Sequence, residues 1–167
     1  WGLDVMKSHF SNVVPLPVPI ETDVVVKTPV KARTFLHIMG RPACYDRNGT
    51  NIFLEAVKRF RHPELRFIVR VQDVEIGKKM AKENPKVKVV YGDSARNDAL
   101  YEEGDVLVMP RRFGGLCLPV NEALARGMPV IMPDCSPNDT LLPKKWLTAG
   151  RNGGSIQTKR TVDLFEP

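Results

Sequence analysis

The chain has 167 residues, of which 43% are hydrophobic, 26% charged and 7% aromatic, a balance that excludes a disordered tail and suits one domain able to bury roughly 70% of the surface of its unfolded chain. Lys and Arg number 25 against 19 Asp and Glu, a net charge of +6 that favours an anionic partner and leaves nucleotides, nucleic acid and acidic membranes all open. Cys44, Cys117 and Cys135 are widely spaced with no CxxC or His pair beside them, and no apolar run is long enough for a membrane span or signal peptide; disulfide framework, zinc site and transmembrane segment are therefore not expected, and a cytoplasmic location is.

Residues 1–30 contain Val13-Val14-Pro15-Leu16-Pro17-Val18-Pro19. Three prolines remove ladder donors and hold the chain extended, so this reads as a linker or edge segment leading in from a preceding N-terminal domain. The start at Trp1 and the close at Phe165-Glu166-Pro167 give the same expectation, of a piece of something longer. From 31 to 167 short apolar runs alternate with amphipathic stretches. Strands are expected at 34–39, 66–71, 87–90, 106–109 and 130–132, and helices at 50–60, 76–84, 95–103 and 120–126, with Gly, Pro or Asn as stop signals. Runs such as Val106-Leu107-Val108-Met109 are apolar throughout, which suits strands covered on both faces. The expected fold class is α/β, a Rossmann-like doubly wound parallel sheet with helices on both faces. In the tail, Gly153-Gly154 reads as a turn, with strands at 155–157 and 162–165.

Ligands of an open parallel sheet sit beyond the carboxyl ends of its strands. After the first strand comes Gly40-Arg41, then a helix whose N-terminal amides are open. Gly40 permits close backbone approach, and Arg41 offers a fork of donors that matches phosphate oxygens. After the fourth strand, Pro110 leads through Arg111, Arg112 and Phe113 to Gly114-Gly115-Leu116-Cys117 and a helix carrying Glu122. The glycine pair can present bare amides to sugar or phosphate oxygens, and Glu122 can accept hydrogen bonds from a vicinal diol such as a ribose. His37 falls inside a strand, where a core or edge histidine is expected rather than a catalyst. A separate feature is the basic stretch 58–90, with ten Lys or Arg against four acids, an excess equal to the whole net charge. A solvated helix face with strand-end lysines is the expected reading, and a nucleic-acid surface the rival one.

The run Glu122-Ala123-Leu124-Ala125-Arg126-Gly127-Met128-Pro129-Val130-Ile131, preceded by Gly115-Leu116 and by the strand and proline at 106–110, resembles the donor-binding motif of family 4 glycosyltransferases. The resemblance spans roughly 34–143 and points to the C-terminal, nucleotide-sugar-binding half of the GT-B architecture. It implies retaining transfer of a sugar from a nucleoside diphosphate sugar, without metal or other cofactor, to an unknown acceptor held by an N-terminal acceptor-binding domain. It further implies Arg41 and Glu122 as catalytic residues, and Gly40, Arg41, Tyr91, Gly114, Gly115, Leu116, Cys117 and Glu122 as donor-binding residues; Tyr91 lies in the stretch that resembles the strand and turn meeting the base. Two positions depart from the pattern. The family spacing Glu-x7-Glu puts its first acid on Gly114, and the family's diphosphate-loop lysine falls on Asn48; Arg47, Arg111 or Arg112 are the nearby cations that could replace it. These departures motivate two alternatives, a non-catalytic nucleotide-binding module and, from the basic stretch, a nucleic-acid-binding Rossmann-like domain.

Overall fold

The computed structural model describes residues 3–14, 16, 18–24, 26, 31–40, 42, 44–135, 140–157 and 161–166. A short helix α1 (Leu3–His9) stands in the segment expected to be extended, and beyond it 10–24 has no regular structure where described, with Val14 and Leu16 exposed. The elements that follow are β1 (Thr34–Gly40), α2 (Thr50–Arg59), β2 (Arg66–Val71), α3 (Val74–Glu83), β3 (Lys88–Tyr91), β4 (Val106–Val108), α4 (Leu118–Ala125), β5 (Val130–Ile131), β6 (Arg151–Gln157) and β7 (Thr161–Glu166).

Strands β1 to β5 form one sheet in the order β3-β2-β1-β4-β5, every pairing parallel, with Leu36 opposite both Ile68 and Leu107 and Leu107 opposite Val130. The period of two in a strand sorts the apolar side chains onto two faces. On one face Leu36, Ile38, Ile68 and Leu107 pack with Val120 and Ala123 of α4 and with Tyr101, Met109 and Met128. On the other, Val69 and Val71 pack with Phe53, Leu54 and Val57 of α2 and with Met80 of α3. The doubly wound α/β architecture is thus present, and within the five-stranded sheet and the helices α2, α3 and α4 the ends agree with the sequence reading to within about two residues.

Local chemistry sets the helix ends. Asp73 caps α3 by accepting from the Ile76 amide at 2.9 Å. Pro119 occupies the first turn of α4, and Gly127, at φ 66°, lies just beyond its C-cap Arg126. Gly77 lets α3 lie directly on β3, since a Cβ there would come within 2.3 Å of Tyr91 Cβ.

Two expectations fail. The helix expected over 95–103 is only a single 3-10 turn, Asp98–Leu100. Ser94 Oγ donates to Arg96 O at 2.7 Å, and Arg96 pairs with both Asp98 and Glu102, side-chain interactions that compete with helix formation. Tyr101 is meanwhile drawn into the core at 2% exposure, and Gly104 passes so close to β1 that a Cβ would lie 2.7 Å from Leu36 Cβ. The second failure is the turn at Gly153-Gly154. These glycines lie within β6, where Gly154 has φ 93° and the antiparallel register with β7 shifts between Asn152 and Ser155. The glycine pair makes a bulge rather than the turn. The two further strands themselves are present.

Candidate functional site

The loops after β1 and β4 meet at the carboxyl edge of the sheet. Gly40 has φ 63°, a value that favours glycine. Arg41 lies outside the described residues. Further along, Tyr45 and Asp46 hold φ of 58° and 52°, unusual for side-chain-bearing residues and costing about 1 kcal/mol or more each. The strained turn is held by the Gly49 amide donating to Asp46 O at 2.8 Å and by the Asp46 carboxylate, which accepts from the Asn51 amide at 3.1 Å. Partial burial raises the Asp46 pKa, opposed by those amide hydrogen bonds and by Arg112. Gly49 itself has φ 73°, and a Cβ there would sit 1.8 Å from Pro110 O, so only glycine lets the two loops pack. Arg112 ties them further, donating its amide to Arg47 O at 3.0 Å and Nη1 to Tyr45 O at 3.1 Å.

His37 lies beneath this junction as a core residue, as expected. It is fully buried, stacked on Phe53 at 5.1 Å, with Nδ1 donating to Val108 O at 2.8 Å and Nε2 accepting from Thr50 Oγ1 at 2.9 Å. Val108 O can only accept, which fixes the neutral tautomer. Burial lowers its pKa to about 4, against the opposing hydrogen bond to Val108. Asn48, where the family has lysine, turns inward and donates Nδ2 to Met39 O at 2.9 Å.

Beyond β4, Gly114 and Gly115 are half-buried, Leu116 is exposed, and Gly115 has φ 137°. The Cys117 side chain is fully buried in the core below α4 and does not face the loop surface. Glu122, half-buried on α4, is already engaged on both oxygens. Oε1 accepts from Asn97 Nδ2 at 2.8 Å, and Oε2 accepts from the Tyr101 hydroxyl. Arg126 completes the group, donating Nη1 to Glu122 O at 2.9 Å and lying 4.7 Å from the centroid of the Tyr101 ring. Burial first, and then the carboxylate, push the Tyr101 pKa upward, so the phenol stays protonated and donates. A carboxylate has about four lone-pair sites; with two occupied, Glu122 retains acceptor capacity for a diol.

Asn97 also lines a cleft of about 280 Å³ at the ends of β1, β2 and β3, together with Gly40, Gln72, Gly92, Asp93 and Ser94. Gln72 Nε2 donates to Asp93 Oδ1 across it at 2.6 Å. Tyr91 does not line the cleft; it is 42% exposed and packs on Gly77, while its neighbours Val90 and Gly92 face the cavity. The structure therefore brings Gly40 and, through Asn97, Glu122 to one edge. Asn97 and Tyr101 were hidden from sequence reading because they stand 25 and 21 residues from Glu122 and nothing in local spacing joins them to it. Among the described residues no three His, Cys, Asp or Glu side chains cluster as metal ligands, and no helix is long and apolar enough to cross a membrane.

The fold has solved counterparts. The chain superposes on the apo form of the lipopolysaccharide outer core galactosyltransferase WaaB with a TM-score of 0.60 at 22% identity, covering 83% of this chain and 43% of that one. The C-terminal domain of a glycosyl transferase group 1 family protein, LpcC, from Francisella tularensis matches with a TM-score of 0.55 at 18% identity over 85% of this chain and 82% of that one. The pneumococcal O-GlcNAc transferase GtfA, solved with UDP and GlcNAc, matches with a TM-score of 0.60 at 15% identity over 89% of this chain and 32% of that one. No curated protein matches by sequence. The chain thus spans less than half the length of WaaB and of GtfA but most of the LpcC domain, and its fold is that of a GT-B glycosyltransferase C-terminal domain. The family model for glycosyl transferases group 1 matches residues 33–161, and the chain belongs to that family.

Proposed function

We propose that the chain is the donor-binding domain of a cytoplasmic glycosyltransferase, taking a nucleoside diphosphate sugar and working with an N-terminal acceptor-binding domain. The observation that carries this reading is a cleft at the carboxyl edge of a parallel sheet, lined by Gly40 and by Asn97, whose amide reaches Glu122, with the loops after β1 and β4 packed on each other at Gly49 and Pro110. The base would enter beside Gly92 and Ser94, the ribose hydroxyls would reach Glu122, and the diphosphate would lie against the loop amides and Arg41. In the transfer, the bond from the sugar's anomeric carbon to the diphosphate breaks with its electron pair leaving on the phosphate oxygen. A bond to the acceptor hydroxyl forms with retained configuration, and the hydroxyl proton passes to the departing diphosphate. Loop amides and guanidinium groups stabilise the charge that develops there, without a metal.

A specific observation supports the non-catalytic alternative. Gly114 offers no carboxylate and Asn48 is turned inward, so the cleft can bind a nucleotide while lacking groups that would act on the sugar. Calorimetric titration with UDP, ADP, GDP and their sugars tests both readings. Glu122→Gln keeps one oxygen to accept from Asn97 or Tyr101 but sets an NH2 against the other donor, and is expected to weaken nucleoside diphosphate binding by about tenfold, or 1.4 kcal/mol. A nucleotide bound equally well by the variant removes Glu122 from the site; no binding of any nucleotide sinks the donor reading.

A further inference from the structure

Arg111 is the one cation of the β4–α4 loop that the packing leaves unaccounted for. Its side chain is 3% exposed, yet Nε and Nη2 are buried with no hydrogen-bond partner, and no carboxylate among the described residues pairs with it. Burying a guanidinium with unmade hydrogen bonds is costly, and its high pKa prevents the discharge by which a lysine would escape that cost. The other nearby cations have occupations. Arg112 is bonded to Tyr45 O; Arg126 and Arg70 each leave one buried nitrogen unpartnered, Nη2 and Nε, but Arg126 donates to Glu122 O and stacks on Tyr101, and Arg70 pairs with Glu103, whereas Arg111 has two such nitrogens and no carboxylate.

What covers Arg111 is equally specific. A Cβ at Gly115 would stand 3.6 Å from Nη2, so the guanidinium lies immediately beneath the glycine pair. Gly115 holds φ 137°, and as a glycine it sets no side chain between the guanidinium and the loop surface. The same loop leads into α4, whose N-cap Cys117 makes no side-chain cap hydrogen bond. The first turn of α4 adds little to this, since Pro119 has no N–H and the Val120 amide donates to Cys117 O at 3.0 Å; the unpaired donors beside the glycine loop are those of the buried guanidinium.

We propose that Arg111 is the diphosphate-binding cation of this chain, replacing the charge absent at Asn48. This rests on the donor reading above and adds the residue through which the anion is held. Two of its N–H groups would engage phosphate oxygens side by side, the geometry that suits a guanidinium and not an ammonium. The site would be electrostatically complete only when loaded.

The test uses this chain with Arg111→Gln and Arg111→Met, Arg111→Lys as the charge-retaining variant, and Lys82→Gln as a surface control with the same charge change as Gln or Met. Inorganic pyrophosphate and the nucleoside diphosphates UDP, ADP and GDP are titrated calorimetrically at fixed ionic strength, and each unliganded protein is melted. Arg111→Gln and Arg111→Met are expected to weaken pyrophosphate and nucleotide binding by about tenfold or more, Arg111→Lys by less, and Lys82→Gln not at all. Unliganded Arg111→Met is expected to melt at or above the wild-type temperature, because an unpaired charge has left the interior. Unchanged binding in the variants overturns the inference and leaves the donor reading standing. A markedly lower melting temperature for both Gln and Met variants overturns it in favour of a structural arginine. Wild-type protein that binds neither pyrophosphate nor any nucleotide overturns both.

Discussion

Buried polar side chains in this domain divide into those that serve the fold and those that face the cleft edge, and His37 belongs wholly to the first kind. Its ring is satisfied at both nitrogens, and burial holds its pKa near 4 against the usual 6.5. A histidine with a depressed folded-state pKa is protonated more readily in the unfolded chain, so the native state loses stability as pH falls below about 6.5, with the loss complete below about 4. The difference corresponds to about 3 kcal/mol. Urea denaturation from pH 7 to pH 4 is expected to show this decline, and His37→Gln, which cannot titrate, to flatten it; an equally steep decline in that variant would place the effect elsewhere. Asp46 works in the opposite sense, since its raised pKa favours the folded form at the acid end. Sequence reading took His37 as a core or edge residue because it interrupts an apolar strand, and its full burial makes it core. Glu122 was legible through its place in the motif, but its partners Asn97 and Tyr101 lie 25 and 21 residues away in a segment with helical composition. Nothing in local spacing shows that such a segment has collapsed onto a carboxylate.

The elements themselves were legible to the extent that burial on two faces writes itself as unbroken apolar runs, as in β2 and β4, and that helix ends carry Asp73, Pro119 and Gly127. Legibility stopped where glycine serves close approach rather than a turn. Gly153-Gly154 reads as a turn in sequence and is a bulge in β6. Gly77 stands inside α3, and the helix can reach β3 only without a side chain there. Two effects therefore compete in Gly77→Ala. Helix propensity favours alanine by about 1 kcal/mol, whereas a Cβ placed 2.3 Å from Tyr91 Cβ must push α3 from the sheet, an overpacking cost of about 1 to 3 kcal/mol or more. Steric cost is expected to win. Guanidinium denaturation should find Gly77→Ala less stable than wild type by at least about 1 kcal/mol, and a stabilised variant would show that the helix shifts freely. Because α3 abuts β3, whose end opens the cleft at Gly92, the same variant is expected to weaken nucleotide binding as well.

At the scale of the whole molecule the question is where the excess of positive charge acts. The family and the α/β fold were legible because one contiguous run, 115–131, carries both the loop glycine and the motif carboxylate. The basic stretch 58–90 was ambiguous because sequence alone does not reveal which acids face which cations. In the fold, five of its ten cations are ion-paired: Lys58 with Glu55, Arg70 and Lys88 with Glu103, Lys78 with Glu75, and Lys79 with Glu83. Exposed pairs contribute little to stability, but each halts the build-up of local potential that a polyanion would need. The stretch also winds through α2, β2, α3 and β3, so its charges are spread along both strands and helices instead of forming one groove. If the five remaining cations each met one phosphate of a duplex, affinity would fall with salt at a logarithmic slope of about −4, a few-hundred-fold loss between 50 and 200 mM. We therefore expect oligonucleotide binding to be weak at 50 mM salt, lost by 200 mM, and indifferent to both Glu122→Gln and Arg111→Gln. Nucleoside diphosphate binding, which involves two phosphates, should survive the same change with a loss of no more than about tenfold. Fluorescence anisotropy with a labelled duplex and a labelled nucleotide separates the cases. Tight duplex binding that persists at 200 mM would make the basic surface, and not the carboxyl edge of the sheet, the place where this domain works.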